Sequence, residues 1–426
     1  MTSSQPEHAA TIEARVRCAL LRESLALVAR GVATPGAVDT VVRTTVGRRL
    51  SVAGPFAIWE QIGWDLVQVI VGELVREISN ATTTLDALDT ILASASVATP
   101  VETDGADSGA AKSVQRVAVV GAGLMGHGIA LEFAAAGRDV YLHDISSELL
   151  TQAVDRARVG LQALALTRQL SDADVNAALG RIRTTTELRE CANAADLVVE
   201  AASENRELKQ RIFGELDVYA PAHAILASNT STFLPSSYAS TTSRPAQVIG
   251  IHYFNPPHLL PGVELIRGPA TSDQTAATIT ALYRALGKQL APLNGEIQGF
   301  IGNRLQAAVL REAIAVVEDG LGSPAEVDAV VSAEIGRRLP DAGPFAQASA
   351  AGAYATRALL EEHLPLLSNK REIPGLLRQK VKAGELGVKV GQGFYSWTPE
   401  SAEAWRRHMS DALLDLAARL DIPTTA

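Results

Sequence analysis

Residues 117–144 read VAVVGAGLMGHGIALEFAAAGRDVYLHD: an apolar run, a glycine-rich turn, a helical pattern, a second apolar run and a closing acid. Few chain paths satisfy that order. Gly121 and Gly123 carry no Cβ, so the backbone can turn sharply and come close to a bulky anion, while Gly126 lets the next helix lie against the strand. A helix starting there aims its free N–H groups at phosphate oxygens. Asp144 ends the second strand, where a carboxylate accepts both hydroxyls of a ribose and repels a 2′-phosphate. The stretch predicts a dinucleotide pocket for NAD in preference to NADP. Gly121, Gly123, Leu124, Met125, Gly126 and Asp144 are its expected contacts.

Two distant stretches repeat each other without a gap. RESLALV (22–28) matches REAIAVV (311–317), and GRRL and AGPFA recur at a constant offset of 289 positions, as from Gly47 to Gly336. About two residues in five agree between 14–80 and 303–369. Each copy has helical spacing, a Thr-Pro or Ser-Pro break and a GPF turn, which predicts two homologous all-helical units. Residues 93–113 are small and polar without a period and read as a linker. From 116 to about 292, apolar runs alternate with helical stretches, the pattern of a largely parallel sheet covered on both faces. The expected architecture is a non-catalytic helical copy at 1–92, a linker at 93–115, an α/β Rossmann-type NAD-binding domain at 116–294 and a second all-α domain at 295–426.

Charge narrows the function. With 38 basic against 47 acidic residues the net charge is −9, so no basic face and no nucleic-acid partner are expected. Cys18 and Cys191 are the only cysteines, too few for a disulfide framework or a thiolate metal site, and no metal is expected. The first residues lack the apolar stretch of a signal peptide, and no segment stays apolar long enough to span a bilayer. A cytoplasmic protein without a membrane partner is the expectation.

Four polar residues stand where the apolar pattern gives them little reason to be. His252 ends the strand VIGIHYF, and ligands in open α/β sheets gather outside the carboxyl ends of strands. Glu264, in GVELI, can accept an imidazole N–H and fix its tautomer. Ser231 follows the strand AILASN, where a turn serine is the alternative reading. Asn303, in GFIGNRL, can serve as a helix cap, but Ala14 holds the matching position of the first copy. A cap that the fold requires would occur in both.

In their order and spacing, the glycine loop, VVEAASENRELK (198–209), SNTS (228–231), HYFNPP (252–257), VEL (263–265), GFIGNRL (299–305), AGPF and GVKVGQGFYSW (387–397) resemble the L-3-hydroxyacyl-CoA dehydrogenase family, over roughly residues 116–397. The resemblance implies NAD-dependent interconversion of a 3-hydroxyacyl thioester and the 3-ketoacyl thioester. It makes His252 the catalytic base and Glu264 its charge partner, and has Ser231 and Asn303 hold the reacting oxygen. It sets Glu200, Lys209 and Asn229 along the cofactor cleft. It also implies that the helical domains are of the 6-phosphogluconate-dehydrogenase C-terminal type.

Three features depart from the family pattern. NPPHLLPGVEL replaces the usual Lys-Met continuation after NP and is similar to relatives acting on carnitine or gulonate. Glu296 and Gln298 replace the usual Asp and Pro before GF. An extra copy precedes the linker, without the asparagine or the GxGFY tail. Substrate alternatives therefore include a polar 3-hydroxy acid and a carrier-protein-bound acyl group, and the non-enzymatic alternative is an NAD-binding structural or sensor protein. The extra copy predicts that the repeats pair within the chain, with Trp59 and Trp64 at the contact; a homodimer is the alternative.

Overall fold

The computed structural model describes residues 5–82, 113–168, 171–351 and 353–420; most of the expected linker lies outside them. The chain divides into two compact units, Met1–Pro100 with Ile301–Leu413, and Val101–Phe300 with Leu414–Ala426.

The second unit is built on one sheet of eight strands: β1 (Arg116–Val120), β2 (Asp139–His143), β3 (Ile182–Thr185), β4 (Leu197–Glu200), β5 (Ile225–Ser228), β6 (Val248–Tyr253), β7 (Gly262–Ile266) and β8 (Gln289–Leu293). Their order is β3-β2-β1-β4-β5-β6-β7-β8. β1 to β6 run parallel, β7 is antiparallel to β6, and β8 runs with β7. Strands β4, β5 and β6 are buried along their whole length, which is why they read as unbroken apolar runs. Alternate side chains feed two cores. Val117, Val119, Ile129, Phe133 and Ile251 pack on one face, and Ala118, Val120, Val198, Phe213 and Tyr238 on the other. Chain order reverses between β1 and β4, so the crevice for a ligand opens at the carboxyl ends of β1, β4, β5 and β6.

Both helical copies lie in the first unit, where the sequence suggested two separate domains. The first copy comprises Gln5–Ala29, Pro35–Val41, Pro55–Glu60 and Trp64–Leu74; the second begins with Gly302–Glu318, Pro324–Val330 and Pro344–Ala351. The Thr-Pro and Ser-Pro breaks act as read. Thr34 accepts the N–H of Ala37, Ser323 that of Glu326, and each is followed by proline at the first helical position. Even a π-helical turn recurs, at Val42–Val46 and Val331–Gly336.

The copies are joined because neither can bury its own apolar and charged faces. Arg15 pairs with Glu312 at 2.6 Å, and its counterpart Arg304 with Glu23, the counterpart of Glu312, at 2.7 Å. Arg22 donates to Ser368 O at 2.9 Å and Arg311 to Ser79 O at 2.8 Å. Asp328 accepts the N–H groups of Phe56 and Ala57, both at 2.8 Å, while Asp39 accepts that of Phe345 at 2.8 Å. Each contact is returned, as in an isologous interface. It also explains the GPF turn: a Cβ on Gly54 would lie 2.2 Å from Asp328 Cα, and one on Gly343 2.5 Å from Asp39 Cα. Trp64 is fully buried with its ring 4.7 Å from that of Phe394, and its indole N–H donates to Glu60. Trp59 is buried as well, beside Gln306 and Val309 of the second copy.

Candidate active site

The glycine turn follows β1. Gly121 has φ of +107°, and a Cβ there would lie 2.6 Å from Ala201 O. A Cβ on Gly126 would meet Gly121 O at 1.7 Å, so the helix Gly126–Ala135 sits on the strand only because that atom is missing. A Cβ on Gly123 would meet nothing within 4 Å. The loop carbonyls are already engaged: Arg156 donates to Ala122 O at 2.9 Å, and His127 Nδ1 to Gly123 O at 2.9 Å. Burial pushes the His127 imidazole below its ordinary range, so it stays neutral with its one proton on that bond. Met125, at the N-cap, offers no side-chain acceptor, which leaves the first helical N–H groups for an anion. The open space at Gly123 and the uncapped helix fit a bound dinucleotide.

Asp144 has a second duty that the sequence did not announce. Its carboxylate accepts Ala122 N at 2.8 Å and Ser146 N at 3.1 Å, pinning the turn to the end of β2. Leu124 is exposed, and Met125 packs against the sheet core.

Glu200 and Lys209, expected along the cleft, instead face each other in the interior. Lys209 Nζ lies 2.8 Å from Glu200 Oε1, and the two are 1% and 0% exposed. Glu200 ends β4, where Ala202 N at 2.7 Å and Ser228 Oγ at 2.5 Å also donate to it; a carboxylate so placed needs the ammonium to remain buried. Asn229 Oδ1 accepts Tyr253 N at 2.9 Å and ties the end of β5 to β6.

Two further groups, which nothing in the sequence singled out, shape the site. Glu204 Oε1 accepts from Thr230 Oγ1 at 2.5 Å, Ser231 N at 3.1 Å and Thr232 N at 3.0 Å, gathering the turn that carries Ser231. Buried Lys288 donates to Pro257 O at 2.7 Å and Leu260 O at 3.0 Å and pairs with buried Glu132, tying the NPPHLLP segment to the helix after the glycine turn. Both were invisible as isolated letters, since their partners are remote in sequence.

His252 and Glu264 stand directly opposite each other on antiparallel β6 and β7. Opposed residues of such a pair share a face with their side chains adjacent. His252 Nδ1 lies 2.5 Å from Glu264 Oε2, and Nε2 lies 2.9 Å from Ser231 Oγ. A carboxylate only accepts, so Nδ1 carries the proton and the Nε2 lone pair faces the serine hydroxyl. The imidazole is 3% exposed and Glu264 fully buried. Rings of Phe254 and Phe300 flank it at 4.7 and 5.5 Å. Phe300 has φ of +53°, just after Gly299 at +78°. A non-glycine residue held there stores about 1–3 kcal/mol of strain, a cost found most often at functional sites.

Asn303 belongs to the helical unit, as the second residue of Gly302–Glu318. The N-cap is Ile301 and makes no side-chain cap, so the capping role is excluded. Gln306 Nε2 donates to Asn303 Oδ1 at 3.5 Å. The structure thus joins Ser231, His252 and Glu264 in one hydrogen-bonded chain within the sheet unit. Among the described residues no group of His, Cys, Asp and Glu is arranged to hold a metal, and no helix is long and apolar enough to cross a membrane.

Comparison with known proteins gives this geometry a family. Residues 116–295 match the NAD-binding domain of 3-hydroxyacyl-CoA dehydrogenase, and residues 12–96 and 299–397 each match its C-terminal domain. The chain is 37% identical over 290 residues to a probable 3-hydroxybutyryl-CoA dehydrogenase of Bacillus subtilis, covering 68% of this chain and 99% of the relative. It resembles the crystal structure of 5-formyl-3-hydroxy-2-methylpyridine 4-carboxylic acid 5-dehydrogenase with a TM-score of 0.68 and 30% identity, over 72% of this chain and 99% of that one. The (S)-3-hydroxybutyryl-CoA dehydrogenase of Ralstonia eutropha follows at 0.56 and 36%, over 67% and 99%. With both domains matched, one of them twice, and an NAD cradle in place, the chain is a member of the 3-hydroxyacyl-CoA dehydrogenase family.

Proposed function

We propose that this chain interconverts a 3-hydroxyacyl-CoA thioester and its 3-ketoacyl counterpart, with His252 moving the proton. The observation that carries the reading is the buried Ser231–His252–Glu264 chain at the carboxyl ends of the strands. NAD, held by the turn at Gly121, Gly123 and Gly126 with Asp144, supplies the hydride acceptor when bound. In oxidation the carbinol C–H and O–H bonds break and a C=O bond forms; His252 Nε2 takes the hydroxyl proton. Glu264 offsets the positive charge that then appears on the ring. Ser231 and Asn303 hold the oxygen. In reduction the imidazolium returns the proton to the developing alkoxide.

His252→Gln is expected to lower turnover at least about 10²-fold while leaving NAD affinity unchanged. Near-normal turnover of that variant removes the histidine from this role.

A second reading keeps the proton chemistry on a small free acid. It is favoured by the higher TM-score to the pyridine-carboxylate dehydrogenase than to the thioester enzymes. Comparing kcat/KM for 3-hydroxybutyryl-CoA with that for free 3-hydroxy acids separates the two. The reciprocal contacts between the copies support a further part of the proposal: the first copy stands where a second subunit would. Light scattering should give the mass of one chain; a dimer with the repeat contacts exchanged between chains refutes it.

A further inference from the structure

Two cavities of the helical unit are related by the duplication. The smaller is lined by eight residues, among them Arg49, Leu50, Pro55 and Trp59. The 289-residue offset carries all eight onto residues that line the larger. Arg49, Leu50 and Pro55 become Arg338, Leu339 and Pro344, while Val309 of the second copy becomes Leu20 of the first. The two differ in what fills them. The smaller keeps about 10 Å³ of free space and the larger about 260 Å³.

The largest difference between their walls is one side chain. Trp59 is 4% exposed, so its indole occupies the smaller cavity, whereas the larger has only the methyl group of Ala348 at that position. Leu20, Leu21, Ile335 and Leu339 form the apolar wall. Protein interiors pack to the density of organic crystals, and holes wider than a water molecule are few. Two further replacements make one end polar: Gln347 stands for Ile58, and Arg17 for Gln306. Arg17 and Arg338 both approach Glu13 Oε1 at 3.4 Å, longer than the roughly 2.7–2.9 Å of a strong guanidinium–carboxylate bond. Nε of Arg17 is buried and makes no hydrogen bond. Arg338 also meets exposed Glu334 at 3.2 Å. Among the described residues the lining thus holds two guanidinium groups against one carboxylate, a balance that favours an anion. A mostly apolar hollow with a few convergent polar groups is the form that small-molecule sites take.

We infer that this cavity binds a small aromatic acid, with a flat apolar body about the size of an indole lying against Ala348 and a carboxylate facing Arg17. The chain's own Trp59 shows what body such walls accommodate. Glu13, Arg17, Leu20 and Leu21 belong to the helix Gln5–Ala29 of the first copy, and Gln347, Ala348, Thr356 and Leu359 to Pro344–Ala351 and Ala353–His363 of the second. A ligand there touches both copies and holds them together. Nothing in the site depends on which substrate the enzyme takes.

Calorimetry and thermal melting of the full chain test it with three probes: indole-3-acetate, indole and acetate. Indole-3-acetate should bind best and raise the melting temperature, indole should bind more weakly, and acetate should not bind measurably. The deciding variants borrow the residue of the other half. Ala348→Trp should abolish binding of both indole probes and melt higher than wild type without ligand, because the hollow is filled. Should that variant fail to fold, Ala348→Leu carries the test, with binding at least about fivefold weaker. Arg17→Gln should weaken indole-3-acetate at least about fivefold and leave indole within about twofold. The inference is overturned if wild type binds neither indole probe, if folded Ala348→Trp binds them as wild type does, or if Arg17→Gln changes both equally.

Discussion

Glu264→Gln tests the catalytic geometry most directly. The substitution keeps size and shape but removes a charge from a side chain with no solvent access, 2.5 Å from the imidazole. The two charge centres lie about 4 Å apart, and at an effective dielectric of about 20 their attraction is about 4 kcal/mol. That attraction exists only once Nε2 has taken the substrate proton, so it acts on the transition state and leaves the ground state nearly alone. Converted to rate, it predicts a fall in kcat of about 10³-fold. The amide can also turn its NH₂ toward Nδ1, forcing the proton to Nε2 and blocking the base altogether, a route that brings losses near 10⁴-fold in other histidine–carboxylate pairs. Initial rates of NADH formation over a range of substrate concentrations separate kcat from KM, and circular dichroism checks the fold. A kcat within about tenfold of wild type, in a folded variant, refutes the reasoning.

Other expectations concern the cradle and the seam between the copies. Gly126→Ala should abolish NAD binding and destabilise the sheet unit, whereas Gly123→Ala, which meets open space in the free protein, should leave melting unchanged and weaken NAD alone; equal behaviour of the two in calorimetry and melting contradicts the assignment. Asp328→Ala strips the acceptor from two helix N–H groups and from the Tyr395 hydroxyl, and should cost about 2–4 kcal/mol in urea unfolding. A cost below about 0.5 kcal/mol is inconsistent with that role. Burial pushes Asp328 up to about 6, so the folded chain holds this proton more tightly than the unfolded chain. Its contribution is largest below about pH 4 and is lost as pH rises through about 6. Asp328→Asn should flatten the stability profile across that window, and an unaltered slope counts against it.

The glycine turn after β1 and the strand β6 that carries His252 were legible because their constraints are local. A missing Cβ at Gly126 and a strand-end histidine at 252 are read from neighbouring letters. The 289-residue offset likewise disclosed the duplication. What stayed hidden depends on partners far apart in sequence. Glu204 looks like any helix-start acid until the turn at Thr230 and Ser231 folds over it. Lys288 and Glu132 look like surface residues until a buried pair forms across the sheet unit. Glu200 and Lys209 were expected along the cofactor cleft, and their mutual burial was not legible, since spacing along a chain does not disclose which carboxylate will be closed over. Arg48 and Arg337 are identical letters in identical GRRL motifs, yet one is buried and the other exposed.

When two identical subunits associate, every substitution arrives twice, once on each side of the axis. Here the halves are encoded separately, so a change on one side is not imposed on the other. The copies have used that freedom unevenly. Positions that touch their own counterparts' neighbours remain matched: Arg15 with Arg304, Glu23 with Glu312, Asp39 with Asp328, Gly54 with Gly343. At other positions they have drifted, with Asn303 against Ala14, Arg43 against Ser332 and Trp59, which packs beside the second copy, against Ala348. One half can be remade while the other holds still, a freedom closed to any pair of equals.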